Sequence, residues 1–252
     1  MPKKTTRKIL YLDAGNSRIK AAFYRNGEWM TKGLITYGSD ASGGVLTDKI
    51  EELTRGFDTM VLVSVKKGVS AQELAERTGG HFVSADRSIL SSENHRYRTP
   101  ETLGIDRYFA CLGAWSLTNR QDVIVTDAGT ACTIDVMNKE GVFLGGVIMP
   151  GLQMLIDSLG KGADGLFAVT KDIPGSWPPA STSEALQAGT AGTFLAAWKD
   201  HIHRTVNLFP GAVVWLTGGD AGFLRDHSSK PCLLSENLVF EGLRFWFEIM
   251  QK

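Results

Sequence analysis

A short motif occurs twice in the chain and constrains the possible folds more than any other feature. DAGNSRIKAAFYRNG begins at Asp13 and DAGTACTIDVMNKEG begins at Asp127, and a turn glycine, Gly27 or Gly141, stands fourteen positions after each aspartate. Each copy comes after a short apolar run, which is typical of a buried strand that enters a tight turn. The repetition therefore predicts an internal duplication.

The paired motifs indicate nucleotide chemistry. Two strand-to-hairpin turns, each with a carboxylate beside a glycine, can face one another across a cleft and hold a metal polyphosphate. Because a carboxylate repels phosphate, we expect Asp13 to act through a hydrated Mg²⁺ ion. For each motif alone, an ordinary hairpin turn is the alternative, since Asp-x-Gly turns are common; a duplicated hairpin without a function is the alternative for the pair.

Strand and helix patterns alternate along the chain and predict an α/β fold with mixed sheets. We expect two domains, residues 1–118 and 119–252, since the repeat divides the 252 residues into halves of ordinary domain size. Predicted strands cover residues 9–12, 17–24, 29–35, 61–65, 81–84 and 213–216, with hairpins over 123–148. Predicted helices cover residues 45–53, 71–77, 106–117, 152–159, 183–207 and 238–250, and a loop is predicted at 38–44.

The charge balance argues against polyanionic partners. The chain has 27 basic and 27 acidic residues and a pI near 7.0, so no long-range field attracts nucleic acid or an anionic membrane. Residues 1–8 are basic, but the four apolar residues that follow are too few for an export signal, and no apolar run could span a bilayer. We therefore expect a cytoplasmic protein with neither nucleic acid nor membrane as a partner.

Two further segments carry candidate functional residues. TGGDA begins at Thr217 and places paired glycines after a predicted strand, where a nucleotide base could lie on exposed backbone; an ordinary turn is the alternative for an isolated diglycine. TLGIDR places Asp106 and Arg107 at the start of a helix. Asp106 there either stabilises the helix dipole or acts as a general base near a γ-phosphate, with Arg107 pairing with an anionic group.

The nucleotide hypothesis rests on the two aspartate turns, because the chain has neither a GxxxxGK[ST] P-loop nor a GxGxxG segment after a strand. The order of these features resembles the superfamily of acetate and sugar kinases, Hsp70 and actin. In that superfamily, two related ribonuclease-H-like domains close over ATP. This resemblance implies the fold but does not identify the substrate.

A narrower resemblance covers nearly the whole chain. The chain resembles the type III pantothenate kinase family through six segments in the family's order: DAGNSRIK, YRTPETLGIDR, DAGTACTID, GGVIMPG, STSEALQAG and TGGDA. Together these motifs are much more specific than any one of them. The resemblance implies ATP-dependent phosphorylation of the primary hydroxyl of pantothenate, the first step of coenzyme A biosynthesis.

The resemblance also implies roles for individual residues. Asp106 would be the proton acceptor, and Asp127 would bind a monovalent cation, K⁺ or NH₄⁺, in addition to the Mg²⁺ that accompanies ATP. The implied ATP-binding residues are Asp13, Ala14, Gly15, Asn16, Ser17, Arg18, Ile19, Lys20 and Thr130. The implied pantothenate-binding residues are Tyr97, Gly104, Ile105, Asp106, Arg107 and Thr182. Members of the family are homodimers that complete the substrate pocket across the interface.

Two rival functions stay open at this point. One is another small-molecule kinase or phosphatase on the same fold. The other is a nonenzymatic regulator, because the Bvg accessory factor belongs to the same family. A regulator that had lost its activity should have lost the charged residues Asp13, Asp106 and Asp127, and all three are present. Their presence favours an enzyme.

Overall fold

The computed structural model describes residues 7–37 and 43–251. The basic residues 1–8 and the predicted loop at residues 38–44 therefore lie largely outside the described residues. The chain forms two compact units: the first combines Met1–Ser116 with Asn237–Lys252, and the second is Leu117–Glu236. No helix in the described ranges is long and apolar enough to cross a membrane.

Strands and helices alternate along the first part of the chain, as their apolar patterns predict. Local signals set several boundaries: Ser70 and Glu73 form a capping box before the second helix, and Gly79, with a φ of 68°, ends it. In chain order the elements are β1 (Ile9–Ala14), β2 (Arg18–Arg25), β3 (Glu28–Thr36), α1 (Gly43–Thr54), β4 (Thr59–Ser64), α2 (Ala71–Thr78), β5 (Phe82–Ser84) and α3 (Ile105–Leu117).

The second part of the chain repeats the strand–hairpin start and then adds helices. Two of its elements, the short seventh helix and the tenth strand, were not predicted from the sequence. The elements are β6 (Val123–Ala128), β7 (Ala131–Met137), β8 (Phe143–Pro150), α4 (Leu152–Gly162), α5 (Thr182–Gln187), α6 (Thr193–Leu208), β9 (Val213–Thr217), α7 (Ala221–Asp226), β10 (Leu233–Leu234) and α8 (Leu238–Met250).

The two sheets have the same topology. The first has the strand order β3-β2-β1-β4-β5 and the second has the order β8-β7-β6-β9-β10. In each sheet the leading strand, β1 or β6, pairs antiparallel with the strand that follows it and parallel with β4 or β9. The equivalent order and orientation support the predicted duplication, and the predicted fold class of mixed sheets flanked by helices is confirmed.

Both turn glycines of the repeated motif have left-handed backbones. Asn26 and Gly27, with φ of 55° and 89°, connect β2 to β3 as the two central residues of a tight hairpin, where asparagine and glycine tolerate positive φ. Gly141, with a φ of 78°, donates its N–H to the carbonyl of Asn138 at 2.9 Å in the longer β7–β8 connection. The positive φ therefore favours glycine at both positions.

The helix predicted at residues 183–207 is interrupted. Ser181 caps its start by accepting a hydrogen bond from the N–H of Glu184, and one π-helical turn at Ala188–Gly192 separates α5 from α6. The AGTAG segment contains two poor helix formers, and the hydroxyl of Thr190 donates to the carbonyl of Leu186 at 2.7 Å. Further along, Trp198 anchors α6 to the sheet by donating its indole N–H to Thr126 Oγ1 at 3.1 Å.

The last helix, α8, belongs to the first unit, whereas the sequence assigned residues 119–252 to one domain. Three features of α8 explain this packing. Phe240 stacks on Trp29 with ring centroids 5.5 Å apart, and Trp29 donates its indole N–H to Glu241 Oε1 at 2.7 Å. Gly242 lies against α3 at Gly113 so closely that a Cβ on either glycine would collide with the backbone of the other helix. The compact units therefore differ from the predicted boundaries at this helix.

Candidate active site

The β1–β2 turn presents the segment predicted to bind ATP. The N–H of Gly15 donates to the carbonyl of Arg18 at 3.0 Å and closes the turn, while Asp13 and Lys20 are direct cross-strand partners. Asn16, Ser17 and Arg18 are exposed, whereas Ala14 and Ile19 are buried and hold the turn on the core. An anion at this turn is thus within reach of the neutral donors of Asn16 and Ser17 and of the cationic side chains of Arg18 and Lys20.

Gly15 is less constrained than its place in the motif suggests. A Cβ at this position would lie 3.6 Å from the carbonyl oxygen of Arg18, an ordinary contact, and Gly15 does not have a positive φ. The turn itself therefore does not require glycine. Because Gly15 has no side chain, its backbone is open to close approach of a ligand.

Asp106 lies in the first turn of α3 and is partly buried. The N–H of Arg107 donates to Asp106 Oδ1 at 2.9 Å, which fixes the carboxylate. Burial raises the pKa of the Asp106 carboxyl, while the N–H and charge of Arg107 and the charge of Arg87 oppose the rise. A carboxylate with a raised pKa is a better proton acceptor than an ordinary surface aspartate.

The residues predicted to bind the acceptor substrate in the first unit lie together. Arg107 is buried, and its guanidinium carbon is 5.8 Å from the centre of the Tyr97 ring. Gly104 lies directly beside the Asp106 carboxylate, and its carbonyl accepts the N–H of Arg107 at 3.0 Å. Ile105 is buried beneath them. Tyr97 and residues 104–107 can therefore form one binding surface.

Arg87 is a charged neighbour of Asp106 that the sequence analysis missed. Its Nε donates to the carbonyl of Leu103 at 2.6 Å, and its charge acts on the Asp106 carboxyl. Asp86 caps the single helical turn that carries Arg87. No sequence signal connects Arg87 with Asp106, because a polar stretch without periodicity separates them.

The β6–β7 turn has the same design as the first turn but is one residue shorter. The N–H of Gly129 donates to the carbonyl of Ala131 at 3.1 Å. Asp127 is partly buried at the end of β6, and Thr130 is exposed at the tip of the turn. Asp127 pairs across the hairpin with Thr133, where the first turn has Lys20 opposite Asp13.

The TGGDA segment packs against this second turn. Gly218 has a φ of 90°, and a Cβ there would lie 2.5 Å from the carbonyl oxygen of Ala128 and 2.6 Å from Asp127 Oδ1. The N–H of Asp220 donates to the same carbonyl at 3.0 Å, and Lys171 pairs with the Asp220 carboxylate. Gly218 is therefore required both for its backbone conformation and for its closeness to Asp127.

Thr182 is exposed in the first turn of α5 in the second unit, directly after the capping residue Ser181. No group of three or more His, Cys, Asp or Glu side chains suited to a metal ion occurs in residues 7–37 and 43–251. Mg²⁺ does not need such a group of side chains. It keeps several of its waters and can be bound through one carboxylate and the phosphate oxygens of a nucleotide. The Asp13 carboxylate, partly buried near the end of β1, suits this mode.

Comparisons with known proteins agree on one family. The sequence model of the type III pantothenate kinase family matches residues 9–204. The type III pantothenate kinase of Chromobacterium violaceum is 33% identical over 236 residues, which cover 93% of this chain and 97% of that protein. The corresponding enzyme of Dechloromonas aromatica is 33% identical over 248 residues, with 94% and 97% covered.

Solved structures show the fold. A Baf family protein from Campylobacter jejuni has a TM-score of 0.66 at 22% identity and covers 96% of this chain and 98% of its own. The polyphosphate/ATP-glucomannokinase of Arthrobacter has a TM-score of 0.53 at 11% identity, with 97% and 100% covered. The chain therefore shares the fold of these proteins, with two mixed sheets flanked by helices.

Proposed function

The chain belongs to the type III pantothenate kinase family, and from this membership we propose a role for each part of the candidate site. The protein transfers a phosphoryl group from ATP to the primary hydroxyl of pantothenate, which forms 4'-phosphopantothenate in the first step of coenzyme A biosynthesis. The regulatory alternative has no better support than the kinase, and the Baf protein's 22% identity bears on the fold alone.

The observation that carries the mechanism is the Asp106 carboxylate, fixed by the Arg107 N–H and raised in pKa by burial. An alcohol is a weak acid, so Asp106 orients the pantothenate hydroxyl and takes its proton late, as the new phosphorus–oxygen bond forms. A positioned base of this kind contributes about 10²- to 10⁴-fold in rate.

Residues 13–20 and Thr130 bind ATP in this proposal. The exposed side chains of Asn16 and Ser17 and the backbone of the first turn donate to phosphate oxygens, and Lys20 offsets their charge. Asp13 would hold Mg²⁺ through its bound waters, and the ion would neutralise part of the charge that spreads over the phosphates during transfer. Ala14 and Ile19 act through the core, because both are buried.

Tyr97, residues 104–107 and Thr182 bind pantothenate. The buried guanidinium of Arg107 offers planar, paired donors to a carboxylate or to the transferring phosphoryl group. In this proposal Asp127 binds a monovalent cation, K⁺ or NH₄⁺. Homodimer formation, a cytoplasmic location and the absence of nucleic-acid partners stay predictions.

The proposed activity is tested by a coupled assay of ADP release. We expect turnover that requires both ATP and pantothenate and that increases when K⁺ or NH₄⁺ replaces Na⁺. Equal rates in K⁺ and Na⁺ would contradict the proposed monovalent-cation site at Asp127 but not the kinase activity. ADP release that does not depend on pantothenate, or that responds equally to other small alcohols, would contradict the substrate assignment.

A Gly104→Ala substitution should lower kcat about tenfold by moving the carboxylate. A Cβ on residue 104 would lie 2.7 Å from Asp106 Oδ1, and the Arg107 N–H holds that oxygen in place. We expect the KM for ATP to stay within about twofold, since ATP is proposed to bind elsewhere. Steady-state kinetics at varied ATP and pantothenate measure both effects. An unchanged kcat would mean that the carboxylate can move without losing its function.

A further inference from the structure

Tyr37 has a buried hydroxyl next to the β1–β2 turn. Its backbone N–H donates to the carbonyl of Ser17 at 3.2 Å, so the residue is attached to the turn itself. Within residues 7–37 and 43–251, the Tyr37 hydroxyl has no hydrogen-bond partner. Burial raises the pKa of Tyr37 to about 12, and the nearby charge of Asp13 adds to the rise. The hydroxyl is therefore a buried donor beside the turn that follows Asp13.

A buried donor without an acceptor is costly. Such groups typically cost about 1–3 kcal/mol, and native proteins tolerate few of them unless a ligand, an ion or water completes the hydrogen bond. Tyr37 is therefore expected to gain an acceptor when the site fills. The acceptor is expected to be a ligand atom or a water bound with the ligand, because Tyr37 is attached to the turn at Ser17.

Lys66 lies on the other side of the same turn. The N–H of Val65 donates to the carbonyl of Ala14 at 3.0 Å and extends the β1–β4 pairing, so Lys66 follows β4 at the sheet edge where β1 ends. Its Nζ is 4.6 Å from the centre of the Tyr37 ring, and the side chain is partly buried. Among the described residues, no carboxylate forms an ion pair with Lys66.

We propose that Tyr37 and Lys66 bind the phosphate chain of ATP at the β1–β2 turn, an inference that rests on the ATP-binding role of that turn. Within residues 7–37 and 43–251 the phenol has no acceptor and the ammonium has no anionic partner, and a phosphate oxygen supplies both. A cation–π contact with the Tyr37 ring holds the Lys66 ammonium near the turn. Together the two donors offset the repulsion between the Asp13 carboxylate and the phosphates.

The sharpest test compares Lys66→Met with Lys67→Met. The two lysines are adjacent, but Lys67 is exposed and Lys66 is partly buried against Tyr37. We expect Lys66→Met to raise the KM for ATP about tenfold, and to weaken binding of a nonhydrolysable ATP analogue by a similar factor, because a charged hydrogen bond is lost. Lys67→Met should change neither quantity by more than about twofold. The KM for pantothenate should stay the same in both variants.

Equal ATP affinities of the two lysine variants would overturn the inference while leaving the kinase assignment untouched. The kinase assignment fails only if the unaltered protein does not phosphorylate pantothenate. A rise in the KM for pantothenate alone would move Lys66 to the acceptor subsite and would also overturn the inference.

Tyr37→Phe removes only the oxygen atom and provides an independent check. We expect ATP to bind about three- to tenfold more weakly, because its phosphate loses one hydrogen bond. The thermal stability of the nucleotide-free variant should be unchanged or higher, since the buried donor is gone. Unchanged ATP affinity together with lower stability would mean that the hydroxyl has a structural role, which would contradict the inference.

Discussion

Asparagine in place of Asp106 should lower kcat by about 10²- to 10⁴-fold while the fold and ATP binding are retained. The amide has nearly the shape of the carboxylate and can still accept the Arg107 N–H, but it cannot take the proton of the pantothenate hydroxyl. Single-turnover kinetics with saturating ATP measure the loss at the chemical step. A kcat like that of the unaltered protein would remove Asp106 from proton transfer.

The same substitution should stabilise the protein. Burial raises the pKa of the Asp106 carboxyl in the folded state, so the folded protein pays a penalty for ionising this group. The penalty is absent at pH values below the ordinary aspartate pKa and is complete above the raised folded pKa. Asp106→Asn should therefore raise Tm at pH 7, and the gain should shrink as the pH falls toward the ordinary value.

Asp200→Asn is a suitable control for both measurements. Asp200 is exposed on α6 and forms an i,i+4 ion pair with Arg204, whose Nε lies 2.7 Å from its carboxylate. Exposed pairs of this kind contribute about 0.3–0.5 kcal/mol. We expect kcat to be unchanged in this variant and Tm to move little. A large loss of activity in both variants would indicate a general effect of removing negative charge.

Alanine at Gly113 or at Gly242 should destabilise the first unit by about 3 kcal/mol, the upper end of the range for overpacking. The two glycines face one another where α3 crosses α8, and a Cβ on Gly113 would collide with the carbonyl oxygen of Leu238. A Cβ on Gly242 would collide with the carbonyl oxygen of Phe109. Backbone atoms cannot rotate away as a side chain can, so the helices must separate.

Calorimetry of the variants tests this expectation, with Gly222→Ala as the matched control. Gly222 lies within the helix α7, and a Cβ there would meet no atom within 4 Å. Alanine should therefore be neutral or slightly stabilising at that position, by up to about 1 kcal/mol. Gly113→Ala and Gly242→Ala variants that melt at the temperature of the unaltered protein would show that the crossing can widen at little cost.

The sheets could be predicted from the sequence because their signals are local. The central strands β1, β4, β6 and β9 are short, almost wholly buried apolar runs, and such runs can be recognised in the sequence. The turn residues Asn26 and Gly27 indicate a hairpin because few other residues accept positive φ. Asp13 and Asp127 both stand near the ends of their strands, shortly before a turn, and this position can also be recognised from the sequence.

What could not be predicted depends on contacts between distant segments. The π-helical turn at Ala188–Gly192 breaks a pattern that is otherwise helical, and periodicity alone does not distinguish the two conformations. The packing of α8 on α3 cannot be predicted without knowing which backbones approach closely. The sign of this contact in the sequence is the glycine pair Gly113 and Gly242. Likewise, Arg87, whose charge acts on Asp106, and Tyr37 and Lys66, which we propose to bind ATP, come from segments without a functional motif.

The position of α8 has a consequence for biosynthesis. The first unit needs residues 237–250 to cover α3, whereas residues 117–236 are contiguous and form the second unit. During translation the ribosome therefore releases all of the second unit before the first can bury its helix crossing. The nascent chain is expected to keep an apolar face of α3 exposed until α8 emerges, which makes chaperone binding most important during that interval.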